Sequence, residues 1–177
     1  MNSAEKKLFL TKLSNESDQD LLKTLDYYRK NSDLDLLPNI LDILKSDRGA
    51  EIKDAVTNLC LDIRTADTAI TVMDYIKTTT HIPTRRQLMS IIWQTGQDLS
   101  LRAADIIDLL IAEDDFQGAF DCLTVLENCT EGITAQTAES LMQKVRAANG
   151  NDTTAPLLQS AYEYLLRASM PADENFS

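Results

Sequence analysis

Glycine and proline are scarce in this chain, five and four residues among 177, and aromatic residues make up only 6%. A β-sandwich or barrel needs frequent turn residues between β-branched or aromatic runs, so both architectures are disfavoured. Histidine occurs once, at His81, in a loop before Pro83. A zinc or iron centre assembled from several imidazoles therefore lacks its donors. Cations are in deficit, 17 Lys and Arg against 28 Asp and Glu, and the net charge of −11 repels phosphate backbones and anionic lipid alike. No apolar run approaches the roughly 18 residues of a bilayer span. Cysteine is limited to Cys60, Cys122 and Cys129, an odd number in mostly apolar settings. That fits buried thiols in a reducing compartment better than a disulfide framework. The opening residues 1–7 lead into only a short apolar patch broken by Lys12, so a secretory signal is not expected. A Gly-x-Ser-x-Gly elbow and a glycine-rich phosphate loop are both missing. The expected localisation is cytoplasmic, and neither nucleic acid nor a membrane is an expected partner.

What is present is helical. At 44% hydrophobic and 25% charged, the composition is that of a globular chain. Residues 4–14 and 20–30 predict two opening helices, the second capped by Ser17 or Asp18. Asp33 can cap the next, with Pro38 in its first turns, where a missing N–H costs little. Leu37, Ile40, Leu41, Ile43 and Leu44 form its stripe. After the break at Asp47-Arg48-Gly49, Ile52, Val56, Leu59 and Ile63 follow at steps of four, three and four, with Ala55 on the same stripe. Period-2 alternation is sustained nowhere, so the chain is expected to be all-α.

The helices repeat. Ile40-Leu41-Asp42-Ile43-Leu44 is echoed by Val72-Met73-Asp74-Tyr75-Ile76 and by Ile106-Ile107-Asp108-Leu109-Leu110, at offsets of 32 and 34 residues. In each block an Asp sits between two apolar pairs. The helix after each block repeats too: Ala55 and Leu59, Leu88 and Ile92, Ala119 and Leu123. A weaker fourth copy joins Leu141, Met142 and Val145 to Leu157, Leu158, Ala161 and Leu165. Two helices per roughly 30–40 residues is the pattern of an α-solenoid, in which neighbouring pairs bury the faces that one pair alone would leave wet.

The first copy resembles a HEAT repeat. Leu37-Pro38 opens its first helix, Asp47 lies in the turn, and Ile52-Lys53-Asp54-Ala55 supplies the aliphatic-basic pair and alanine that begin the second. The resemblance covers roughly residues 34–130 and, more weakly, 141–168. It implies a right-handed α-solenoid of about four helix pairs (33–169) behind an N-terminal helical cap (1–32), with a flexible tail at 170–177. It also implies a ladder between repeats through Asp47 and Lys53. That ladder should be incomplete, because the second copy has Arg86 but no turn Asp, and the third has Asp114 or Asp115 but Gln117 at the basic position. HEAT families bind very different macromolecules, so the resemblance implies a scaffold and no particular partner. HEAT-like hydroxylases use paired His-Glu motifs that are missing here, and HEAT-like DNA glycosylases use a basic aromatic groove that this composition opposes.

Two surface features are candidates for binding. From Asp98 to Gly132 nine acids face one base, Arg102: Asp98, Asp105, Asp108, Glu113, Asp114, Asp115, Asp121, Glu127 and Glu131. Asp114 and Asp115 are placed to cap the helix that follows. The remainder suits either a solvated face or a docking patch for a basic partner segment. Second helices line the concave side in HEAT arrays, which places Asp54, Asn58, Arg86, Ser90, Gln94 and Asp121 there. Trp93, flanking the inward stripe of its helix with Met89, suits either packing between repeats or an interface anchor. Arg85 and Arg86 open that helix against its dipole and so are expected to serve an ion pair or ladder. Cys122 and Cys129, two turns apart, suit buried packing over a soft-metal pair. The expected function is a non-enzymatic protein–protein interaction scaffold that needs no cofactor, metal or catalytic residue. A HEAT-like enzyme such as a glycosylase relative, and a homo-oligomeric element using Leu8, Phe9, Leu10 and Leu13, are the alternatives.

Overall fold

A computed structural model describes residues 1–31, 33–62, 65–129 and 132–170. Among them the regular structure is helical throughout, with no strand. The helices are α1 (Ser3–Asn15), α2 (Asp18–Asn31), α3 (Leu37–Leu41), α4 (Ala50–Leu61), α5 (Ala66–Thr78), α6 (Ile82–Thr95), α7 (Ala103–Ala112), α8 (Phe116–Glu127), α9 (Ala135–Ala147) and α10 (Ala155–Ser169). None is long and apolar enough to cross a membrane. The chain divides into two compact units, Met1–Ile91 and Ile92–Ser177, so that α6 begins in the first and its last turn belongs to the second.

In the first unit, local signals set the helix ends. Asn2 and Glu5 form a reciprocal capping box at α1. Ser17 receives the Asp20 N–H ahead of α2 at 3.3 Å, as its spacing predicts. The Asp33 carboxylate receives the Asp35 N–H, also as expected, but the run it opens is composite. Tight 3-10 turns at Leu34–Leu36 and Asp42–Lys45 bracket only five α residues, with Pro38 in their first turn. α1 closes on α2 through Phe9 and Tyr28, whose rings lie 5.8 Å apart. α2 lies against α4, and α3 against α5. Arg48 ties the α3–α4 turn back to the α1–α2 corner, donating to the Glu16 carbonyl at 2.8 Å and the Asp18 carboxylate at 2.8 Å. The link from this turn to the preceding pair thus runs through Arg48. Neither Asp47 nor Lys53, the ladder positions of the resemblance, forms an ion pair among the described residues.

The second unit repeats the plan more regularly. α7 packs on α8 and α9 on α10, while α7 also meets α9 and α8 meets α10. Asp115 caps α8 through the Gly118 N–H at 3.0 Å, and Thr134 caps α9 through Thr137. Tyr164 of α10 donates to the Cys129 carbonyl, and Asn151 donates to the Asp114 carbonyl. Gly150 sits at a close approach to backbone: a Cβ there would meet Leu158 Cδ1 at 2.8 Å and the Ala155 backbone at 3.0 Å. Gly150→Ala is therefore expected to destabilise by about 1–3 kcal/mol, read as a lower urea midpoint at unchanged slope. Gly96 ends α6 at φ 63°, the left-handed conformation that glycine adopts without strain.

The repeated block keeps one register on α5 and α7 and along the composite run around α3. Ile40, Leu41, Ile43, Leu44, Val72, Met73, Tyr75, Ile76, Ile106, Ile107 and Leu110 are buried, while Asp42, Asp74 and Asp108 are exposed. In the first and third blocks the middle Asp also reaches the next pair. Asp42 accepts from the Tyr75 hydroxyl at 2.8 Å, and Asp108 pairs with Lys144 of α9. Ala119, Leu123, Leu141, Val145, Leu157, Leu158, Ala161 and Leu165 are buried as their spacing predicts. Ile63, in the expected α4 stripe, and residues 171–177 of the expected tail lie outside the described residues.

Candidate interaction surface

The acidic stretch separates into local tasks. Asp98 receives the Ser100 N–H at 2.8 Å, Asp105 pairs with Arg102 at 3.3 Å, Asp108 pairs with Lys144, and Asp115 caps α8. Asp114 and Glu127 are exposed, and Glu131 lies outside the described residues. Two members do not belong to a solvent-facing patch at all. Asp121 is only 2% exposed and Glu113 only 6%. The spacing misplaces Asp121 because the buried side of α8 is wide: Gly118, Ala119, Cys122, Leu123, Val125 and Leu126 all face inward beside it.

Asp121 instead anchors a small buried network. Gln117, one turn earlier, donates to it at 2.8 Å, and the Trp93 indole N–H donates to it from the end of α6. Burial pushes its carboxyl above the usual carboxylate range; these two hydrogen bonds oppose the rise, and the nearby charges of Asp115 and Glu113 add to it. Trp93 is thereby held by its polar edge while 36% of its surface stays accessible. Gln94 is exposed beside it. On the second helices Asp54 and Asn58 are exposed, whereas Arg86 and Ser90 are half-buried.

His81 caps α6. Its Nδ1 accepts the Thr84 N–H at 3.3 Å and lies 2.8 Å from the Thr84 hydroxyl, so a neutral ring carries its proton on Nε2. Among the described residues, no three His, Cys, Asp or Glu side chains are grouped so as to hold a metal ion. The three cysteines are free and buried. Burial pushes the Cys60 and Cys129 thiols up to about 12, and Cys129 also donates to the Val125 carbonyl. A thiolate is the nucleophile in alkylation, so these two thiols are expected to ignore a thiol reagent at pH 8 until denaturant is added. Rapid labelling of either one in the folded chain would contradict that burial.

Two features escape the sequence reading. Phe116 and Phe120, one turn apart on α8, are 51% and 42% exposed with near-parallel rings 5.9 Å apart. Their spacing was available, but it also fits the inward stripe with Ala119 and Leu123, so pattern alone does not place them outside. At the N-terminus, Phe9 and Leu13 are buried, not free for self-association, because they seal α1 onto α2. Leu8 and Leu10 are exposed, and Leu8 joins Tyr27 in lining a cleft of about 350 Å³ between α1 and α2.

Charge is divided unevenly between the units. Residues 1–91 carry fourteen acids and thirteen bases, and residues 92–177 carry fourteen acids and four bases. No family model, curated protein or solved structure matches the chain.

Proposed function

We propose that the chain is a non-enzymatic protein-interaction scaffold of the HEAT-like, right-handed α-solenoid type, binding a protein segment on the exposed side of its second helices. One observation carries this reading: within the second unit α7 meets α9 and α8 meets α10, while each pair also packs internally. Helix pairs stacked like to like leave one exposed helix side that runs on from repeat to repeat, which is the surface such arrays use. The inter-pair contacts of Asp42 with Tyr75 and Asp108 with Lys144 support the same order. The acidity of the second unit favours a partner with a basic segment and binding that weakens with salt. The test is affinity capture from native lysate at low and moderate salt, followed by titration of the purified chain with each captured protein. A saturable complex that weakens with salt is expected. Failure of every captured protein to bind saturably would overturn the scaffold.

Self-association through the α1–α2 cleft is the second reading, favoured by the accessible Leu8 and Tyr27. Deleting residues 1–14 is a poor test, since it strips Phe9 and Leu13 from the core. The double substitution Leu8→Lys/Tyr27→Lys changes only exposed positions. On this reading it turns an oligomer into a monomer by light scattering, and a wild-type chain that is already monomeric excludes it.

A further inference from the structure

Resting on the scaffold reading, we propose that the outer face of α8, built from Phe116, Phe120 and Glu127, anchors an arginine-bearing basic segment of the partner protein. Phe116 and Phe120 keep about half of their surfaces in water, and their near-parallel rings, 5.9 Å apart, form one aromatic platform. Two neighbouring exposed phenylalanines leave apolar area wet without serving the core, which is the cost a binding anchor carries in the free state. Thr124 and then Glu127 continue the same helix face, the glutamate two turns beyond Phe120. The Glu113-Asp114-Asp115 turn immediately precedes Phe116.

Charge decides what this platform accepts. It lies on the unit with fourteen acids and four bases. The field at this end of α8 is negative, since Asp115 and Glu113 both help to raise the proton affinity of Asp121. An acidic segment would be repelled, and a neutral apolar one would leave the exposed Glu127 unanswered. Among cations, a guanidinium is planar and weakly hydrated, so it stacks on an aromatic face while its edge donates to a carboxylate. A lysine ammonium is a compact, strongly hydrated charge that profits less from the rings. The rings therefore select arginine over lysine, and Glu127, about 10 Å further along the helix, meets a second cation of the same segment.

The experiment is a fluorescence-anisotropy titration of the full chain into a labelled Arg-Gly repeat peptide, with Lys-Gly and Glu-Gly peptides of equal length as controls. Wild type is expected to bind the arginine peptide several-fold more tightly than the lysine one and to ignore the acidic one. Phe116→Ala/Phe120→Ala is expected to weaken arginine-peptide binding roughly tenfold. Glu127→Gln is expected to weaken it about twofold and to flatten its salt dependence. Phe116→Leu/Phe120→Leu keeps the bulk and removes the π faces. It should also lose the preference for arginine, which preserves the test if the alanine variant folds poorly. Equal binding of the arginine and lysine peptides by wild type, or undiminished binding by both double variants, overturns the proposal. So does a wild-type dimer that the alanine variant dissolves, because a second copy would then occupy the face. If a protein captured from lysate binds wild type and the alanine variant equally, the anchor fails and the scaffold stands.

Discussion

Ile106→Ala is expected to destabilise the second unit by about 2–5 kcal/mol, whereas Leu109→Ala, three residues along the same helix, should cost about 1 kcal/mol or less. Ile106 has no accessible surface and Leu109 is half-exposed, although both occupy apolar positions of one repeated block. The difference follows from register. α7 meets both α8 and α9, so its inward side faces two helices and a methylene deleted there leaves a cavity that neither neighbour can fill alone. Leu109 lies toward the flank and gives up little when truncated. The measurement is urea unfolding followed by the fluorescence of Trp93, the chain's single tryptophan, which reports on the unit that holds α7. If the two variants cost the same, the register of the third block is wrong, and with it the correspondence between Asp108 and Asp42.

The sequence made the helical class, several helix starts and the repeated block readable because each rests on a strong local cause. An Asp between two apolar pairs can expose itself and bury its neighbours in only one helical phase, and Asp42, Asp74 and Asp108 each do so. Caps were readable for the same reason: Ser17, Asp33 and Asp115 lie where free N–H groups need an acceptor. The surface was less readable. Asp121 has the chemistry of a solvent-facing acid, yet it is enclosed by a buried side wider than a stripe and satisfied by Gln117 and Trp93. Phe116 and Phe120 have the chemistry of core residues and face water. The misplaced Asp121 and the unplaced phenylalanines share a cause: the width of the buried side depends on how many helices press on α8, and α7 and α10 both do. Composition and spacing carry no record of that number.

Asp121→Asn is expected to stabilise the chain at pH 7, and the gain should vanish as the pH falls to about 4. The sign follows from linkage. Burial raises the Asp121 carboxyl above its ordinary value in the folded chain, so the native state holds its proton more tightly than the unfolded chain does. The ionised side chain therefore weighs against folding, in full above the folded pKa. The penalty shrinks as the pH falls through that value and is gone below about 3.8, where the carboxyl is protonated in both states. Each unit by which the folded pKa is raised corresponds to about 1.4 kcal/mol at neutral pH. Asparagine preserves the network, since its Oδ1 accepts from the Trp93 indole and its Nδ2 donates to Gln117 once that amide turns over. Asp20 and Asp33 shift in the opposite direction under the influence of Lys23 and Lys6, so the pH profile of wild type alone mixes contributions of both signs. The difference between variant and wild type isolates Asp121. Trp93 supplies a second, local readout: its emission should titrate above the ordinary carboxylate range in wild type and stay flat in the variant. A variant less stable than wild type at pH 7 would show that the ionised carboxylate holds Trp93 in place and is not a charge the fold tolerates at a cost. An emission titration that survives the substitution would assign it to a group other than Asp121.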